Sequence, residues 1–137
     1  MKSYLIIGMG NFGQSLAMEL AQLNHEVLVI DEQEKHVAPV VDIVTDALIG
    51  DAKDEGFLRL LGIPNFDCVV VAITRLEDSI MVNMLVQEMG AVNIISKAKG
   101  ELHAKILKKI GVSTVVRPEF DMGKRIAKSM DEEDKDR

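Results

Sequence analysis

LIIGMGNFGQSLAMEL, residues 5–20, passes from a short apolar run into closely spaced glycines and then into a helical period. The apolar run reads as a buried strand over 4–7. Residues 11–23 read as a helix with Phe12, Leu16, Leu20 and Leu23 on one face. Between them, Gly8-Met9-Gly10-Asn11-Phe12-Gly13 matches the spacing G-x-G-x-x-G. Alone this spacing is weak, because glycines are common. Its setting is informative: a strand precedes it, a helix follows, and Asp31 stands eighteen residues past Gly13 at the end of the next strand.

Each position in the turn has a chemical reason. Gly8 permits the tight turn, Gly10 lets backbone approach a pyrophosphate, and Gly13 lets the helix lie against the sheet. Free N–H groups and the helix dipole favour an anion there by about 0.3–1 kcal/mol. A carboxylate at Asp31 accepts both hydroxyls of an adenosine ribose. A 2′-phosphate facing it at ~4 Å costs about 4 kcal/mol at an effective dielectric of 20, so an unphosphorylated ribose is expected.

Outward from this stretch, strand-length apolar runs alternate with helical periods. Strands are predicted over 26–30, 46–49, 68–73, 93–97 and 114–117. Helices are predicted over 32–41, 54–61, 78–89, 101–110 and 120–130, with Pro39 kinking or ending the first of these. Asp78 is expected to cap its helix, and Gly90 and Gly111 to end theirs. Leu102, Ile106, Leu107 and Ile110 are expected to face inward. Six strands and six helices in alternation predict an α/β fold, a Rossmann-like doubly wound parallel sheet of order 3-2-1-4-5-6. Residues 1–130 form one domain in this reading, and 131–137 a charged tail expected to fray.

Bulk properties exclude several classes. The net charge is −6 and the pI about 5.0, which disfavours a nucleic-acid surface. No apolar run approaches the ~20 residues that span a bilayer, and Met1-Lys2-Ser3 leads directly into a strand rather than a signal peptide. A single cysteine, Cys68, allows no internal disulfide and fits a reducing cytosol.

Two further strand ends address the same crevice. Gly50-Asp51-Ala52 ends the third strand, where Asp51 either bonds an adenine amino group or is an ordinary turn residue. Thr74-Arg75 ends the fourth, and Arg75 either contacts phosphate or pairs with Glu77 or Asp78. No catalyst is visible. Tyr4 lies in the first strand, and His25, His36 and His103 are scattered and expected at the surface. Met81, Met84 and Met89 are expected in the core.

The segments GMGNFGQSLAMEL (8–20), HEVLVIDEQEKHV (25–37), ALIGDAKDEGFLRLLGIPNFDCVVVAI (47–73) and KAKGELHAKILKKIGVSTVVRPEFDMGKRIA (97–127) resemble the N-terminal domain of RCK proteins, regulators of potassium conductance. The likeness is strongest to cytosolic regulatory subunits of Trk/Ktr-type potassium-uptake systems. It implies a homodimer or a ring of eight that binds ATP, ADP, AMP or NAD(H) and sets the gate of a membrane potassium transporter. The place of action would be cytoplasmic, at the inner face of the membrane through that partner, without insertion and without catalysis. On the same likeness Gly8, Gly10 and Gly13 would cradle phosphates, Asp31 the ribose and Asp51 the adenine, with Asn11, Phe12 and Ala52 also among the cofactor-binding residues. Thr74-Arg75 would lie near base and sugar. Glu119 would stand near the phosphates and a divalent cation at the dimer interface, or be simply a dipole-favoured acid at a helix start. Asn11 replaces an arginine that some Ktr regulators carry, which disfavours a third phosphate. Family members continue into a further RCK domain, so the chain is either a piece of a longer protein or a short regulator. The final helix, with Met122, Ile126 and Met130 on one stripe and Phe120, Gly123 and Ala127 beside it, would cross to a neighbouring subunit. A dehydrogenase fragment holding NAD is the alternative.

Overall fold

Ser3–Ile7 forms the first strand of a computed structural model that describes residues 1–135. Among the described residues the strands are β1 (Ser3–Ile7), β2 (Glu26–Asp31), β3 (Asp46–Ile49), β4 (Cys68–Val71), β5 (Ile94–Lys97) and β6 (Thr114–Val116). The helices are α1 (Asn11–Gln22), α2 (Glu34–Val37), α3 (Glu55–Arg59), α4 (Leu76–Glu88), α5 (Glu101–Lys109) and α6 (Pro118–Lys135). All neighbouring strands pair in parallel, in the order β3-β2-β1-β4-β5-β6, as the sequence predicts.

Strand alternation assigns the two faces. Leu5, Ile7, Val69 and Val71 point to one face, where Leu58 of α3, Val82 and Val86 of α4, and Leu107 of α5 pack. Ile6 and Val70 point to the other, beneath Leu16, Ala17 and Leu20 of α1. With helices on both faces, the β1 and β4 strands are almost wholly apolar and buried. Register brings Ile7 beside both Ile30 and Val71, so the carboxyl ends of β1, β2 and β4 finish level. The chain then turns at Gly8 and Ala72 into opposite faces of the sheet, which opens a crevice at the reversal of strand order.

Several local expectations are corrected. Helix α2 has four residues rather than spanning 32–41, because Pro39 has no N–H to continue the ladder. Helix α4 starts at Leu76 with Arg75 at its cap position, so Asp78 lies inside the first turn and does not cap it. Met81 and Met84 face outward, at 50% and 44% exposure, because Ser79, Val82, Asn83 and Val86 occupy the inner face. On α5 the inner face is His103, Ala104 and Leu107, and Leu102 is exposed. His103 is buried rather than at the surface because both ring nitrogens are satisfied. Its Nδ1 accepts the Lys99 N–H at 2.8 Å, which leaves Nε2 to donate to Ser79 Oγ at 2.9 Å. Gly90 and Gly111 end α4 and α5 with φ of +91° and +98°, as expected.

Helix α6 departs from the rest of the fold. It begins with Pro118, and Arg117 anchors its entry by donating its N–H to Asp121 at 3.0 Å and lying 4.0 Å over the Phe120 ring. It runs through Lys135, past the predicted end at 130. Residues 136–137 of the predicted tail lie outside the described residues. Every position over 119–134 is exposed, including Phe120, Met122, Ile126 and Met130.

Candidate functional site at the sheet switch point

Two cavities of about 260 Å³ lie at opposite ends of the sheet. Their equal volume makes lining chemistry the discriminator. One, at the amino ends of the strands, is bordered by Lys2, Asp67 and Asn93. The other is the switch-point crevice, bordered by the glycine turn, the ends of β2 and β3, and the start of α4. Only the second combines helix-terminal N–H groups with carboxylates on facing strands.

The glycine turn is shaped by three different constraints. Gly8 has φ +102°, and a Cβ there would stand 2.5 Å from the Ala72 carbonyl oxygen. At Gly13 a Cβ would overlap the Gly8 carbonyl oxygen, so only glycine lets α1 start this close to the turn. Gly10 differs: φ is −73°, and a Cβ would meet nothing within 4 Å. Its emptiness faces the crevice at the cap position of α1, and glycine offers no side chain to satisfy the first N–H groups. Those donors and the helix dipole aim at an open space suited to an anion.

Asp31 joins the two sides of the crevice. Its Oδ2 accepts the Met9 N–H at 2.8 Å, and its Oδ1 accepts the Gln33 N–H at 2.8 Å. His36 Nδ1 stands 3.2 Å from the same Oδ1. The predicted sugar-binding acid is therefore also a strut for the turn. Gln14 reinforces this strut, donating from Nε2 to the Met9 carbonyl at 2.8 Å and to the His36 carbonyl at 3.4 Å.

Across from the turn the lining is charged. Lys53 Nζ lies 3.4 Å from Asp78 Oδ1 and 4.0 Å from Glu32 Oε1, bridging the β3 end to α4. The Asp51 carboxyl, first by hydrogen bonding and then by its charge, holds the Glu32 carboxyl above its usual range. Asp51 also accepts the Lys53 N–H at 2.9 Å, so it serves as a turn residue and as part of the lining.

Of the residues singled out in the sequence, Gly8, Gly10, Phe12, Gly13, Asp31, Asp51, Ala52 and Thr74 line this crevice. Asn11, Arg75 and Glu119 do not. The Asn11 side chain is exposed, although its N–H belongs to the first turn of α1. Arg75 extends away, its guanidinium 3.9 Å from Glu77, which is the ion pair left open above. Glu119 is exposed in the first turn of α6. Among the described residues no group of three or more His, Cys, Asp or Glu side chains is arranged to hold a metal ion.

Sequence reasoning missed Glu32, Lys53, Asp78 and Lys97 as lining residues. Glu32 and Lys53 adjoin Asp31 and Ala52, so adjacency was an available signal. Asp78 and the lining residue Val82 are four apart on one helical face, which becomes informative once α4 is known to start at Leu76.

The chain is similar to known proteins in sequence and in fold. The TrkA-N domain family matches residues 4–118. The Ktr system potassium uptake protein A of Bacillus subtilis (strain 168) is 40% identical over 133 residues, covering 96% of this chain and 60% of that protein. The chain thus spans about three fifths of the length of this curated relative. Among solved structures, the NAD(P)-binding domain of an exopolyphosphatase-related protein from Archaeoglobus fulgidus superposes with a TM-score of 0.84 at 20% identity, covering 96% of this chain and 99% of that one. The GsuK channel bound to NAD superposes at 0.74 with 19% identity over 84% of this chain and 21% of its own. GsuK bound to ADP does so at 0.72 with 19% identity over 84% and 31%. The family model covers residues 4–118, most of the chain, and that match settles its family: the chain belongs to the TrkA-N domain family.

Proposed function

We propose that this chain is the nucleotide-sensing domain of a regulatory subunit for a membrane potassium transporter, and that it senses its ligand without chemically changing it. The observation that carries this reading is the likeness to a potassium uptake protein along nearly the whole chain, on a fold whose crevice presents a bare helix start and a facing carboxylate. The ligand is an adenine nucleotide, one of ATP, ADP, AMP and NAD(H). Its phosphates lie over Gly8, Gly10 and Gly13 on the N–H groups of Asn11 and Phe12, its ribose hydroxyls on Asp31, and its base beside Asp51 and Ala52. NAD and ADP in the GsuK structures support this class of ligand.

The one imidazole of the lining among the described residues, His36, is engaged with Asp31 at 3.2 Å, and Cys68 is buried in β4, outside the lining.

Residues 1–130 act as the nucleotide-binding unit in this reading, and α6 supplies assembly. A helix with Met122, Ile126 and Met130 exposed along one stripe is best satisfied by a second copy, giving a homodimer or a ring of eight. Among the described residues no helix is long and apolar enough to cross a membrane. Contact with the membrane, in this reading, is made through the transporter subunit at its cytoplasmic face, as the likeness to a potassium uptake protein suggests. Nucleotide occupancy then favours one arrangement of subunits. Moving such an equilibrium from 1:99 to 99:1 takes about 5.5 kcal/mol of differential binding.

Equilibrium dialysis of the purified chain against labelled ATP, ADP, AMP and NAD tests the reading. Saturable binding that Asp31→Ala weakens is expected. No binding of any of the four would overturn it.

A further inference from the structure

Between α4, β5 and α5 lies a cluster of buried polar side chains that takes no direct part in the crevice lining. Ser79, Asn83, Ser96 and His103 are each at most 1% exposed. Asn83 Nδ2 donates to the Ser79 carbonyl at 2.8 Å and to Ser96 Oγ at 3.0 Å. His103 Nε2 donates to Ser79 Oγ at 2.9 Å, and His103 Nδ1 accepts the Lys99 N–H at 2.8 Å. The imidazole on α5 thus holds two other parts of the chain, the start of α4 and the 98–100 turn that leaves β5. Both adjoin the crevice wall. Asp78, the residue before Ser79, lines the crevice and lies 3.4 Å from Lys53. Lys97, two residues before Lys99, lines it from the end of β5.

A second proton on the ring changes one of these attachments and spares the other. Neutral imidazole offers one donor and one acceptor, whereas imidazolium offers two donors. Nε2 already donates, so the contact with Ser79 survives. At Nδ1 the new N–H would meet the Lys99 N–H, two donors 2.8 Å apart, and that contact is lost. Asn83 Oδ1 is buried without a partner, but it is reached through Ser79, on the Nε2 side, and cannot take the new proton. The charge that acts on the ring is the Lys99 ammonium from the turn; α4 and β5 meet the cluster with Ser79, Asn83 and Ser96, β6 carries no charged side chain, and Asp78 is paired with Lys53. Burial first, then that ammonium, hold the ring below its usual 6.5.

We propose that His103 is a positioning residue for the crevice: the neutral ring clamps the β5–α5 turn to α4, and protonation releases the turn, so that ligand affinity falls as pH falls. The inference rests on the nucleotide reading above and adds a regulatory input to it. Lys97 is a cation of the lining, and its place depends on the turn that follows it. Once the turn is released, an anionic ligand loses a fixed partner. Where only the clamped form binds, apparent affinity follows its population, about a tenfold loss for each pH unit below the midpoint of the ring.

Nitrogen-edited NMR of the ligand-free 137-residue chain from pH 7.5 to 5.0 reads the clamp directly. The Lys97 and Lys99 amide signals should move with the midpoint of the His103 ring, below pH 6.5, and the Lys99 amide should lose exchange protection. In His103→Gln, which keeps a donor and an acceptor and gains no charge, these changes should vanish. Calorimetric titration with NAD⁺, whose pyrophosphate does not titrate in this range, reads the consequence. Between pH 7.5 and 5.0 its affinity should fall at least threefold further in wild type than in His103→Gln. The comparison cancels the titration of His36 and of the lining carboxylates, which both proteins share. Should the variant fail to fold, the wild-type spectra alone decide. A Lys99 amide that stays fixed while the ring titrates overturns the clamp. An equal fall of affinity in both proteins overturns its link to the crevice. No binding of NAD⁺ at pH 7.5 also overturns the positioning role, and the four-nucleotide dialysis then decides separately whether nucleotide sensing stands.

Discussion

The Asp31 carboxylate holds the Met9 N–H at 2.8 Å, tying the end of β2 to the glycine turn that follows β1. The residue that the motif reserves for a sugar is thus part of the turn's own scaffold. Met9, fully buried between two glycines, cannot reach water for this N–H.

Asp31→Ala is therefore expected to act twice. It removes the proposed sugar contact and leaves the Met9 N–H unpaired, which costs about 1–3 kcal/mol. Asp31→Asn keeps an acceptor for Met9 and should recover most of that stability without restoring affinity. Urea unfolding and calorimetry on both variants separate the two roles; an Asp31→Ala variant as stable as wild type would show the strut to be idle.

Gly10 and Gly13 should separate in the same way. Gly13→Ala drives a methyl group into the Gly8 carbonyl and should destabilise the fold by about 1–3 kcal/mol or more. Gly10→Ala meets nothing and should melt within ~0.5 kcal/mol of wild type. Its methyl group would occupy the space kept for phosphate, so nucleotide affinity should fall at least tenfold. Thermal melts paired with equilibrium dialysis check both.

His103 makes stability depend on pH. Burial first, and the Lys99 charge second, lower its folded pKa from 6.5. The unfolded chain then binds the proton more readily than the folded one. This contribution is complete above pH 6.5 and is lost as pH falls from there through the lowered folded value. Urea midpoints at pH 7.5 and 5.0 should differ more in wild type than in His103→Gln; an equal difference would remove His103 as the cause.

The exposed stripe of α6 yields an assembly prediction. Ile126→Asp changes a residue that is 53% exposed, so the core should be unaffected. Sedimentation should show a shift toward monomer, with an unchanged melting profile at low concentration. Retention of wild-type mass would take this stripe out of the interface.

Sequence alone determined the strand order, the glycine turn, Asp31 and the stops at Gly90 and Gly111, because each rests on local periodicity or on the steric demands of single residues. Tertiary structure alone decided the partners of side chains distant along the chain. Periodicity could not turn Met81 and Met84 outward, since their placement depends on Asn83 reaching Ser96 of β5 at 3.0 Å. Nor could it bury His103, whose burial requires Ser79 and Lys99 to meet its two nitrogens. It left Arg75 between two partners and did not bring Asp78 to Lys53, twenty-five residues apart. Helical and strand patterns record which face is apolar; they carry no record of which charge waits on the facing element, and at this crevice that pairing sets the chemistry.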